Sequence, residues 1–117
     1  MLKIEDSITR LAWNTEHHFL HIQAQHEFMR AWAIQFELGY TDLRLIQFAL
    51  QLAQPQQTEL LAKLTAAYQQ VYQYEYAFVA GGLEGFNQQF GGQMAEYEQA
   101  EKQLLAVLDQ IKSVSAE

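Results

Sequence analysis

What most restricts this chain is how seldom anything interrupts it. One proline, Pro55, and six glycines, placed at Gly39, Gly81, Gly82, Gly85, Gly91 and Gly92, are the only strong helix breakers in 117 residues. Between them apolar side chains recur at steps of three and four, and no stretch sustains the alternation of a strand. Seventeen glutamines spread over every segment, together with Ala, Leu and Glu, add to the helical preference.

The punctuation divides the chain into about four helices, and short connections between long amphipathic segments predict a small all-α antiparallel bundle. A first helix is expected from Ile4 to Leu38, with Ile8, Leu11, Ile22, Met29, Trp32 and Phe36 in line, a candidate break at Asn14-Thr15 and a stop at Gly39. Thr41 is placed to cap a second helix, with Asp42 in its first turn and Leu43, Ile46, Leu50 and Ala53 leading to Pro55, and Phe48 off the main stripe. A third, from Pro55 or Thr58 to Ala80, carries Leu60, Leu61, Leu64, Tyr68, Val71 and Phe78 and stops at Gly81-Gly82, leaving residues 81–92 as a hinge. The last, from Gln93 to Val114, is spaced through Tyr97, Glu101, Leu104, Leu108 and Ile111, with Met94 and Leu105 beside them. Residues 1–117 read as one domain without repeat or linker, and an over-long first or last helix is a candidate homodimer seam.

A 50% hydrophobic content suffices for a core, while fourteen acids against seven bases leave a net charge of −7. That balance opposes nucleic acid and anionic membrane surfaces and favours a basic protein partner. With no cysteine, disulfides, thiolate metal sites and cysteine nucleophiles drop out. The opening residues do not form a secretory signal and no apolar run is long enough to span a bilayer, so a cytoplasmic location is expected.

All four histidines fall within ten positions: His17, His18, His21 and His26. His17 and His21 stand one turn apart, and with Glu16 they form a candidate metal set. Di-iron bundles need Glu-x-x-His on two helices, whereas here Phe19 stands three residues after Glu16 and Arg30 three after Glu27. The competing account puts His18 and Gln25 on the core face as a buried polar layer that fixes register, and expects no cofactor. Ser7, Ser113 and Ser115 lie near the ends without a nucleophile elbow. The run Gly81-Gly82-Leu83-Glu84-Gly85 lacks the lysine of a phosphate loop. A non-catalytic role is the expectation.

Between Lys63 and Lys102 no lysine or arginine occurs, yet Glu75, Glu84, Glu96, Glu98 and Glu101 do, among eight aromatic residues. Tyr72, Glu75 and Tyr76 lie close on a helical wheel, and Tyr74 points elsewhere. Tyrosine offers contact area with little rotamer entropy to lose, and carboxylates beside it pair with arginine or lysine. Tyr72, Tyr74, Glu75, Tyr76, Glu84 and Phe86 are therefore the candidate partner-binding residues. In composition and in this tyrosine–glutamate surface the chain is similar to bacterial immunity proteins, a likeness that implies stoichiometric occlusion of a basic partner.

Overall fold

The computed structural model describes residues 1–115. Its four helices are α1 (Glu5–Gln23), α2 (Arg30–Leu52), α3 (Thr58–Phe90) and α4 (Met94–Ser115), and no strand occurs among the described residues. Each consecutive pair packs together, α4 closes back on α1, and α1 and α3 meet only across the diagonal of the bundle. Descending contacts run from Arg10 to Asp42, Asn14 to Gln35 and His21 to Trp32, so α1 and α2 are antiparallel. Gln47 to Thr65 and Trp32 to Phe78 give the same sense to α2 and α3. The chain is an all-α four-helix bundle.

The core takes one stripe from each helix: Ile8, Leu11 and Ile22 of α1; Leu43, Ile46 and Leu50 of α2; Leu64, Val71 and Phe78 of α3; and Leu104, Leu108 and Ile111 of α4. Glu5 and Asp6 in the first turn of α1 complement the partial positive charge of its N-terminus.

The first break lies elsewhere than expected. Instead of one helix running to Leu38, α1 ends at Gln23, Asn14-Thr15 is continuous helix, and a new helix begins at Arg30. The stop is a Schellman arrangement: the His26 N–H donates to the His21 carbonyl and the Gln25 N–H to that of Ile22, with Gln25 left-handed at φ 61°. Glycine usually takes that place, which is why a glutamine there gave no sign.

Gly39 correspondingly ends nothing. It sits inside α2 facing α1, where an added Cβ would lie 3.5 Å from Asn14 Nδ2 and 3.7 Å from Leu11 Cδ1. Thr41 caps no helix; its hydroxyl donates to the Glu37 carbonyl one turn back. Asp42, placed by sequence in a first turn, is buried mid-helix and accepts two bonds from the Arg10 guanidinium, at 3.0 and 3.2 Å.

At the far end the expected stop at Gly81-Gly82 is met by a non-helical Gly82, where two helical stretches of α3 join across a kink. With φ 67° and ψ −166° that residue changes the helix direction, and a further helical stretch to Phe90 replaces the expected hinge and seats Phe86 fully in the core. No helix among the described residues is long and apolar enough to cross a membrane.

Candidate functional site

Residues four apart on one helix share a face, and on α3 that rule stacks Tyr68, Tyr72 and Tyr76 in a row with ring centroids 6.0 and 5.9 Å apart. Across from them α2 contributes Phe36 and Tyr40, the latter 6.4 Å from Tyr68. The two helices part here around a groove of about 850 Å³. Tyr68 is buried in its wall, whereas Tyr72 and Tyr76 are roughly half exposed, and Glu37, Thr41 and Arg44 form the α2 rim.

A carboxyl group lies beneath the rings. Glu75 lines the groove but is only 7% exposed, and its Oε2 stands 3.5 Å from His18 Nδ1. That separation is longer than a formed hydrogen bond, and His18 Nδ1 has no bonding partner among the described residues. The other imidazole nitrogen, Nε2, lies 3.2 Å from Gln35 Oε1, and the ring stacks on Phe36 at 3.8 Å. Burial pushes the Glu75 carboxyl above the ordinary carboxylate range, with His18 pulling the other way. Burial and the charge of Glu75 also raise the Tyr68 phenol, which stays protonated as a hydrogen-bond donor.

Three of the six candidate contact residues, Tyr72, Glu75 and Tyr76, thus share one groove. The other three do not. Tyr74 is buried on the opposite side of α3, stacked on Tyr97 at 4.6 Å and edge-on to Phe90, and Phe86 is wholly inside. Neither presents a surface, because both face α4. Glu84 is exposed but stands beyond the Gly82 bend, away from the tyrosine row.

The candidate metal set is also dispersed. Glu16 is exposed; His17 stacks on Trp13 with its Nδ1 2.8 Å from the Trp13 carbonyl. His21 instead stacks on Trp32, and its Nδ1 lies 3.0 Å from His26 Nδ1. Burial first, then the neighbouring His26, lowers the His21 pKa. Among the described residues no three His, Asp or Glu side chains are grouped to hold a metal ion. Of the expected polar layer, His18 is buried and Gln25 is exposed, since the left-handed turn carries Gln25 out to accept a bond from Asn87 Nδ2 at 2.8 Å.

Tyr40 and Phe36 complete the groove and were not among the candidates. The signal existed, because Phe36 and Tyr40 are themselves four apart; reading Gly39 as a stop separated them. Comparison of the chain with protein-family models, with curated proteins and with solved structures gives no match.

Proposed function

We propose that this chain is a non-catalytic binding module whose α2–α3 groove takes up a basic segment of a protein partner. One observation carries the reading: Tyr72 and Tyr76, each about half exposed, share the groove with a buried acid, Glu75, while α3 brings no lysine or arginine after Lys63 and Glu37 offsets Arg44 on the α2 rim. An arginine or lysine stem covers tyrosine rings while its charged head is drawn to a carboxylate, and each cation–π contact contributes about 0.5–2 kcal/mol depending on its exposure. The net charge of −7 adds long-range attraction that speeds encounter. Binding of this kind blocks the partner's basic surface stoichiometrically, as an inhibitor or an adaptor does.

The acid's environment makes uptake sensitive to pH. Because burial raises the Glu75 pKa, an arriving cation favours the ionised form and drives off a proton, so affinity increases as pH rises through the range where Glu75 titrates.

A photo-crosslinking residue at Tyr76 tests the reading in an extract of the source cells. The expected product is an adduct with a basic protein that is lost in Glu75→Gln and at about 1 M salt, where the screening length falls to about 3 Å. An adduct indifferent to both changes, or none at all, would overturn it.

A further inference from the structure

One outward stripe of α2 is largely apolar, and nothing among the described residues covers it. Ile34, Leu38, Leu45, Phe48 and Leu52 are each 42 to 61% exposed, and with Thr41 they follow one another at steps of four, three, four, three and four. That is the spacing of a coiled-coil seam, and it lies apart from the inward residues Leu43, Ile46 and Leu50 of the same helix. In heptad terms Ala31, Leu38, Leu45 and Leu52 occupy a, while Ile34, Thr41 and Phe48 occupy d. The flanking g positions hold Arg30, Glu37, Arg44 and Gln51.

We propose that two copies of this chain associate through α2, antiparallel about a two-fold axis, with Glu37 of each copy paired to Arg44 of the other. The charges choose both direction and register. In an antiparallel pair a faces d and g faces g, so Glu37 opposite Arg44 sets Leu38 against Thr41, Ile34 against Leu45 and Ala31 against Phe48. Small then meets large at the ends of a seam about 26 Å long. Sliding by one heptad either way sets Arg44 against Arg44 or Glu37 against Glu37. A parallel pair sets Glu37 opposite Asp42, which Arg10 already holds, and Arg44 opposite Ala49, so neither charge finds a partner. Within the described residues Glu37 and Arg44 form no ion pair of their own; Arg44 donates only to Gln47, one turn along.

A face that is apolar in heptad spacing and self-complementary in charge specifies a second copy of itself more closely than an unrelated partner. Tyr68, Tyr72, Glu75 and Tyr76 take no part in it, whereas Glu37, Thr41 and Arg44 belong to both the seam and the α2 rim of the groove; Leu45→Glu and the Ile34/Leu45 cysteine pair leave the groove lining untouched and so separate the two readings.

Sedimentation velocity of the full chain is expected to show a dimer. Glu37→Arg and Arg44→Glu should each weaken it about tenfold, the double swap should restore it, and Leu45→Glu should abolish it, with the helical circular dichroism unchanged. The absence of native cysteine permits a register test: chains carrying Ile34→Cys mixed with chains carrying Leu45→Cys should oxidise to a mixed covalent dimer, and neither should do so alone. A monomer at every concentration, a swap that fails to restore the dimer, or cross-linking of either cysteine variant with itself would overturn the proposal.

Discussion

Gln25 carries a conformational cost that its own side chain partly offsets. At φ 61° an L-residue loses about 1–2 kcal/mol relative to the right-handed region, and here the amide gives back one bond to the Ile22 carbonyl and one from Asn87. Both are at or near the surface, where a hydrogen bond contributes little net stability. Gln25→Gly is therefore expected to stabilise the bundle by about 1 kcal/mol in denaturant unfolding. Glu75 shows the same principle in a polar form: a residue in an unfavourable setting kept there by the frame around it. The tyrosine row above it was legible, because Tyr72, Glu75 and Tyr76 share a helical face whatever the tertiary packing. Which tyrosines face the core was less so. Tyr74 differs from Tyr72 by two positions, which on a helix turns it toward α4, but only packing against Tyr97 and Phe90 decides that this side is closed.

Glycines separate the elements only where backbone geometry requires them. Gly82 and Gly81 are adjacent and a Cβ on either meets nothing within 4 Å, yet only Gly82 occupies a region closed to other residues. Gly82→Ala is expected to cost about 1–3 kcal/mol. Gly81→Ala, in ordinary helix, should instead stabilise by about 0.5–1 kcal/mol. Equal thermal shifts for the two would contradict the bend described here. The same contrast explains the misplaced boundaries: Gly39 looked like a stop and is a contact with α1, whereas the true stop, at Gln25, carries no glycine. The later elements were easier to place, since Thr58 and Met94 begin helices close to where Pro55 and Gly91-Gly92 predict a restart. The outward stripe of α2 was hidden because the misread break at Gly39 cut its heptads in two.

At the scale of the whole molecule two buried acids and one histidine act on the pH response in opposite directions. Glu75 and Glu101 both have folded-state pKa values raised mainly by burial, and for Glu101 by the nearby charges of Glu16 and Glu98. A raised carboxyl means that the folded state binds more protons than the unfolded one between the ordinary and the raised pKa. Stability therefore falls as pH rises through that interval and is recovered on acidification. These two carboxyls favour a higher thermal midpoint as pH is lowered from neutral to about 5, while His21, whose pKa is lowered by burial, opposes them, so the acids' share is read as the difference between the unaltered chain and Glu75→Gln. Glu75→Gln should show a shallower slope, and an unchanged slope would count against the burial of that charge.

For the proposed role of the α2–α3 groove as a binding surface, the six tyrosines supply a built-in control. Four of them, Tyr40, Tyr68, Tyr72 and Tyr76, line the groove, while Tyr74 and Tyr97 stack inside the core. Carbon-13 spectra of tyrosine-labelled protein, recorded during titration with a short arginine-rich peptide and with an acidic peptide of equal length, read both groups at once. The basic peptide alone is expected to shift the four groove rings, most of all Tyr72 and Tyr76, and to leave Tyr74 and Tyr97 in place. Spectra that stay unmoved, or that respond equally to the acidic peptide, would contradict that role.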